Sequence, residues 1–393
     1  MKTDSFHKTK NKFFPLDTSM ALPRGSSFIE GDDITDLSPL SGITSVIEDI
    51  IIRNNPNLTS LSDLSNINTT AASIQIINNP LLENLEGLEG FTSLIDMLII
   101  ESNDALTSLS GLNNVTSTGD LFIINNDNLE DLVGLGALIF TDGQLLIEGN
   151  DFLESLFGLA NYSSGDTFSV VNNTALMSME GVGAFETLVL SIRDNPALVD
   201  VITLDQVENI GEILEIVNND NLTSLDGLQN LNTIGFGFTL SGNEMLTDIT
   251  SLSDVLNPSM FISITDNPNL AVCDIEVVCS FISNLESFQD ILISNNAAGC
   301  NSVEEVGEEC LLSVNEQLLE NTITIYPNPT VDILNIAFTD GVQLEHIDIF
   351  SITGKKIQTT QSTSIDFSSL TKGVYFARIQ TNQGTVIKKI VKK

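Results

Sequence analysis

Tryptophan is absent from this 393-residue chain, and only two histidines occur, His7 and His346. Neither lies between residues 34 and 310. That excludes Ser–His–Asp and Cys–His nucleophile arrangements from the largest part of the sequence. Basic residues are nearly as scarce: between Ile34 and Glu320 only Arg53 and Arg193 occur, against 43 carboxylates. A surface of that sign repels nucleic acid and anionic membrane, so neither is expected as a partner. Cysteine does not appear before position 273. No apolar run is long enough to span a bilayer. No P-loop, dinucleotide fingerprint or EF-hand loop is present. Carboxylates are so dense that any two could be posed as a glycosidase pair, so no such pair carries weight. The expectation is a protein without catalytic residues, cofactor or bound metal. Divalent cations on the corner residues Asp104, Asp127, Asp151, Asp220 and Asp266 are the minority alternative.

What fills the sequence is a repeat. Asn55, Asn79, Asn103, Asn126, Asn150, Asn173, Asn195, Asn219, Asn243, Asn267 and Asn296 each close a short apolar run, at gaps of 24, 24, 23, 24, 23, 22, 24, 24, 24 and 29 residues. So constant a period means a solenoid, one coil per repeat. Five and three residues before each asparagine the column is almost wholly Ile, Leu, Val or Phe, the alternation of a strand with one face inside. Leucines three apart follow, as in Leu106, Leu109, Leu112 and Leu222, Leu225, Leu228. Where a coil turns a corner, backbone N–H and C=O groups point inward without sheet partners. A buried amide donates and accepts, so the asparagine can satisfy them and bond the next asparagine. Gly87, Gly111, Gly134, Gly158, Gly181 and Gly227 recur where a Cβ would meet a neighbouring coil. Coils about 4.8 Å apart give a rod on the order of 50 Å.

The outward strand positions are unusually apolar. Four residues before the asparagine stand Ile51, Ile99, Phe122, Leu146 and Leu292; two before it, Ile77, Ile124, Val171 and Val217 alternate with Arg53, Glu101, Glu148 and Arg193. Ile99, Phe122, Ile124 and Leu146 are the expected ligand-binding hot spot, since contiguous exposed apolar surface marks binding sites. The competing reading is that β-branched residues simply suit strands.

Residues 274–288 break the period, and Ile275, Val278, Ile282 and Leu285 sit at helical spacing, so a short capping helix is expected. Cys273, Cys279, Cys300 and Cys310 all fall in this cap. Their spacing does not fit paired C-x2-C zinc knuckles. Two disulfides are expected, Cys273–Cys300 and Cys279–Cys310, which imply an extracytoplasmic compartment. Residues 1–33 read as a flexible polar segment. Phe13-Phe14-Pro15-Leu16 is too short for a signal-peptide core, so the true start is expected upstream.

Residues 311–321 read as a linker. Short β-rich runs follow, Thr322–Tyr326, Ile333–Phe338, His346–Phe350, Val374–Gln380 and Val386–Val391, which suggest a small β-sandwich over 322–393. The fold class is therefore all-β: a parallel β-solenoid over 34–310 with a disulfide-bonded cap, then the sandwich.

Two resemblances add to this. Ile76-Ile77-Asn78-Asn79-Pro80-Leu81-Leu82-Glu83-Asn84-Leu85-Glu86-Gly87-Leu88 resembles a leucine-rich repeat of the receptor L-domain kind, over about residues 34–310. Tyr326-Pro327-Asn328-Pro329, Ile349-Phe350-Ser351-Ile352-Thr353-Gly354-Lys355, Leu370-Thr371-Lys372-Gly373-Val374-Tyr375-Phe376 and Lys388-Lys389-Ile390-Val391-Lys392-Lys393 resemble, in order, the type A C-terminal sorting domain of the type IX secretion system. That resemblance implies a sorting signal carried by Pro327, Asn328, Pro329, Gly354, Gly373, Tyr375, Lys388 and Lys389. It further implies a Bacteroidota-type bacterium, secretion machinery as partner, and a cargo released or held on the outer surface. The expected function is non-enzymatic binding or adhesion to an unknown protein or glycan. The alternatives are a β-helix enzyme acting on polysaccharide and a purely structural matrix protein.

Overall fold

The computed structural model describes residues 27–393 except 47, 69–70, 257, 340, 353–354 and 383, with backbone alone at 312–321. The N-terminal stretch expected to be flexible lies, up to residue 26, outside the described residues. Two compact units divide the chain, 1–306 and 307–393.

The first unit is a parallel β-solenoid. Twelve strands follow one another through a single sheet, from Ser27–Ile29 to Asp290–Ser294, each hydrogen-bonded to the strand of the next coil. The first strand pairs Ser27–Ile29 with Ile50–Ile52, so the solenoid starts ahead of residue 34. The register keeps equivalent residues side by side: Ile76, Ile100, Ile123, Ile147, Val170, Ile192, Ile216, Leu240, Ile264 and Ile293 form one inward row. All are buried. Each such side chain contributes roughly 1.5–3 kcal/mol by leaving water. The leucines that follow each strand close the coil from the other side; Leu106, Leu109, Leu112, Leu222, Leu225 and Leu228 are wholly buried. Short 3-10 turns rather than α-helices carry that side, for example Ser62–Leu64, Val133–Leu135 and Thr250–Leu252.

The asparagine column is a continuous hydrogen-bonded ladder, fully buried from Asn55 to Asn267. Asn103 shows the unit. Its Nδ2 donates to the Ile76 carbonyl of the preceding coil at 2.9 Å, to its own coil's Glu101 carbonyl at 3.0 Å and to Asn126 Oδ1 at 3.2 Å. Its backbone N–H donates to Asn126 Oδ1 as well. At the first rung the Gly31 N–H donates to Asn55 Oδ1. At the last rung Asn296 is half-buried, and its Nδ2 donates to the carbonyls of Ile264 and Cys300.

The residue before every rung has a left-handed backbone: Asn54, Asn78, Ser102, Asn125, Gly149, Asn172, Asp194, Asn218, Gly242, Asp266 and Asn295, with φ between 52° and 69°. Asn, Asp and Gly are the residues that tolerate this conformation best, and they fill the column except at Ser102. Gly87, Gly111, Gly134, Gly158, Gly181 and Gly227 mark a second constraint. At each a Cβ would overlap backbone of the preceding coil, the Leu85 carbonyl in the case of Gly111.

The cap contains a helix, Glu276–Ser283, whose buried side chains are Val277, Val278, Cys279 and Phe281. Leu285, expected on that helix, is exposed instead. The helix stops at Asn284. The backbone N–H of Asn284 makes the last helical bond, to the Ser280 carbonyl, its side-chain amide donates to the same carbonyl, and its own backbone has left the helical conformation. Cys273 and Cys300 are bridged with Cα atoms 5.3 Å apart. Cys279 and Cys310 are disulfide-bonded too, and with no cysteine free they form the second bridge. A second helix, Val303–Thr322, runs through the segment read as a linker.

The C-terminal unit is a two-sheet β-sandwich. One sheet has three antiparallel strands, Ile323–Tyr326, Ile333–Phe338 and Ser364–Asp366. The other has four, in the order Lys356–Thr360, Leu344–Ser351, Gly373–Thr381 and Gly384–Lys392. Ile323, Leu334, Ile336 and Ile365 from the first pack with Ile347, Ile349, Ala377, Ile379 and Ile390 from the second.

Candidate functional site

Strand alternation puts residues four and two before each asparagine on the outer face of the solenoid sheet. The expected hot spot is adjacent there: Ile99 pairs with Phe122 and Phe122 with Leu146 on consecutive strands. All three are half-buried. Ile124 lies on the same face one pleat on, flanked by Glu101 and Glu148. The row runs back through Gln75 to Ile51, which is 7% exposed, and Phe28. Beyond Leu146 it changes character, to Ser169, Ser191, Glu215, Thr239 and Ser263.

Arg53 and Arg193 occupy one register row six strands apart, in the order Arg53, Ile77, Glu101, Ile124, Glu148, Val171, Arg193. At about 4.8 Å per step they cannot act on one substrate group. Each already has a carboxylate: Arg53 donates to Glu30 at 3.2 Å and lies over the Phe28 ring, and Arg193 is 3.7 Å from Glu215.

The corner carboxylates Asp104, Asp127 and Asp151 follow each other on consecutive coils. Burial, then the charges of Asp151 and Asp104, raise the Asp127 carboxyl above the usual range. Among the described residues no group of three His, Cys, Asp or Glu side chains is placed to hold a metal ion.

A second apolar surface was not foreseen. Leu188, Phe236 and Met260 are 41%, 45% and 44% exposed; Phe236 and Met260 occupy the bend that leads into the strand, and Leu188 stands at the irregular start of its own strand, Glu186–Arg193. The Phe236 N–H donates to the Glu212 carbonyl of the coil before it, and the Met260 N–H to the Phe236 carbonyl. Each stands seven residues before its asparagine. In the other coils that column reads Glu48, Ala72, Asp96, Gly119, Gly143, Asp166, Glu212 and Gln289. The switch from polar or small to large apolar was the signal available.

In the C-terminal unit the motif residues have distinct jobs. Asn328 holds the chain's final strand from its outer edge: Oδ1 accepts the Val391 N–H at 2.9 Å and Nδ2 donates to the Lys389 carbonyl at 2.7 Å. Pro327 and Pro329, both after cis peptide bonds, flank it. Tyr375 is buried, its hydroxyl donating to the Thr371 carbonyl and its ring meeting Phe367 edge-on. Gly373 begins its strand, with open space where a Cβ would stand. Lys388 pairs with Ala377 and Lys389 with Phe376 on the last strand. Gly354 lies outside the described residues.

No curated protein matches the chain. No helix among the described residues is long and apolar enough to cross a membrane. Residues 324–393 match the family described as the secretion system C-terminal sorting domain, and they fold as the module that carries all four motifs. The chain thus ends in a type IX sorting tail, which directs export out of a Bacteroidota cell to the medium or the surface.

Proposed function

We propose that the exported solenoid is a non-enzymatic recognition wall, akin to receptor L-domain leucine-rich repeats, that binds a protein or glycan outside the cell. The observation that carries this reading is the row Ile99, Phe122 and Leu146: three large apolar side chains adjacent on one sheet face, only partly covered. Solenoids commonly use such faces, and aromatic and aliphatic anchors supply most of the energy of an interface. Both arginines of the solenoid are paired, with Glu30 and Glu215, so among the described residues the wall offers no unpaired cation to handle an acidic sugar.

The test is Phe122→Asp in the full-length protein, assayed on glycan arrays and by adhesion to whole cells. A hot-spot loss of about 2 kcal/mol or more weakens binding roughly thirty-fold. The side chain points away from the core, so the unfolding midpoint should stay near that of the wild type. Retained binding refutes the assignment. Loss on Phe236→Asp but not on Phe122→Asp transfers it to the surface formed by Leu188, Phe236 and Met260.

A further inference from the structure

Charge is segregated along the chain. Residues 34–320 hold 43 acidic and 2 basic side chains, while residues 321–393 hold 5 acidic and 8 basic. Three of those eight cations, Lys356, Arg378 and Lys389, meet around two phenyl rings of the sorting module.

In its four-stranded sheet one face is core, made by Ile347, Ile349, Tyr375, Ala377, Ile379, Val386 and Ile390. Alternation puts Phe350, Phe376, Arg378, Ile387 and Lys389 on the other. Register brings them together. Phe350 pairs with Phe376, and Phe376 with Lys389, across three strands; Arg378 pairs with Ile387 on the adjoining row. The Arg378 guanidinium lies over the Phe350 ring, 4.8 Å from its centroid, and Lys356 Nζ approaches the same ring at 5.9 Å. Ile387 is 62% exposed, and Arg378 and Lys389 are exposed as well. Among the described residues the carboxylate in the patch is Asp348, already held by Lys356 at 2.8 Å and by the Thr359 hydroxyl.

This is a flat apolar patch built on two phenyl rings and set with cations. A guanidinium stacked on a ring has its orientation fixed in advance and keeps its N–H edge for bidentate contact with a carboxylate. Apolar centre and charged border together are the anatomy of a protein–protein contact.

We propose that this outer face is the surface by which the export machinery reads the sorting domain, and that it docks on an acidic protein surface of that machinery. The proposal rests on the family match of residues 324–393 and is independent of what the solenoid binds. The occupant follows from charge complementarity: Arg378 and Lys389 are exposed beside the rings, while Asp348 is neutralised within the module by Lys356.

The test expresses the full chain behind an added export leader in a bacterium that possesses type IX secretion. The variant is Arg378→Glu combined with Lys389→Glu, and the matched control is Lys372→Glu combined with Lys393→Glu, the same charge change away from the rings. The fraction of protein outside the cell is measured together with protease resistance of the purified module. The expected result is a fall of about tenfold or more in the exported fraction for the face variant, near-normal export for the control, and unchanged protease resistance in both. Should the face variant lose protease resistance, Arg378→Gln with Lys389→Gln supplies the same comparison. Normal export of the folded face variant, or an equal defect in the control, overturns the proposal. So would binding of the wild type, but not the variant, to vesicles containing anionic phospholipid if export were unimpaired. Low-salt self-association lost only in the face variant, with export intact, would instead give the face to the acidic solenoid of a second copy.

Discussion

Replacing Asn126 by alanine tests the ladder at mid-length. Asn126 Nδ2 donates to the Ile100 carbonyl at 2.9 Å and the Ile124 carbonyl at 3.1 Å, and Oδ1 accepts both the backbone N–H and Nδ2 of Asn103 at 3.2 Å. Not all of these losses cost equally. The Ile124 carbonyl still receives the Ser102 N–H. Asn103 Nδ2 still has Ile76 and Glu101, and Asn150 Oδ1 still has the Asn126 N–H. What is stranded is the Asn103 N–H and the bond to the Ile100 carbonyl, where Asn103 and Asn126 are both 0% exposed. At about 1–3 kcal/mol for each buried polar group left unsatisfied, the loss is about 2–6 kcal/mol. Against a typical stability of about 5–15 kcal/mol that is large. The assay is equilibrium urea unfolding of the full chain, with Asn125→Ala as comparison. Asn125 is exposed, and its replacement only removes a residue suited to φ 52°, at about 1–2 kcal/mol. Because coils interact only with neighbours, Asn126→Ala should also broaden the transition or split it at that coil. A loss for Asn126→Ala no greater than that for Asn125→Ala would refute the ladder's mechanical role.

Two further expectations follow from local geometry. Gly111→Ala sets a Cβ into the Leu85 carbonyl at φ 113° and should destabilise by about 2–5 kcal/mol, whereas Gly136→Ala, with ordinary right-handed backbone and its Cβ 3.4 Å from the Val133 carbonyl, should stabilise by about 0.4–1 kcal/mol; paired thermal melts check the opposite signs. Burial pushes the Tyr162 phenol up to about 12, with Asp166 adding to the rise and the Thr141 hydroxyl opposing it. The folded state thus favours the neutral phenol, a contribution present below the ordinary phenol value near 10 and lost as pH climbs from there toward 12. Tyr162→Phe should flatten that part of the stability–pH curve measured by urea unfolding; an identical curve would show that the phenol ionises as freely folded as unfolded.

The solenoid was legible because a corner lined with inward backbone groups accepts almost nothing but an amide, so Asn55 through Asn296 stand out at a fixed period. The left-handed column before it was equally written, as Asn, Asp and Gly, but strand periodicity draws the eye to the apolar positions. The cap helix was found and its end misplaced, because spacing alone carries Leu285 onward while the backbone leaves the helical conformation at Asn284. Residues 311–321 contain neither Gly nor Pro, and helix rather than a bare connection is what such a stretch allows. Phe122 was legible as outward but not its depth, since neighbouring strands half-cover it. The exposure of Leu188, Phe236 and Met260 is not legible because it depends on how each coil enters its strand, which no period reports.

Each rung of the ladder hands on the bond it receives, so one coil's exit edge is chemically the same as the next one's. Excising one complete repeat, such as residues 127–150, would bring Asn126 against Asn173 as it now stands against Asn150. The same join is possible at nine places between Asn55 and Asn267, and the disulfide-closed end would be untouched by it. Length in this protein is therefore a nearly free variable, open to change by unequal crossing-over in steps of one repeat, while smaller insertions have to be absorbed within a coil, as the 29-residue interval before Asn296 absorbs the cap helix without breaking the Asn267–Asn296 rung.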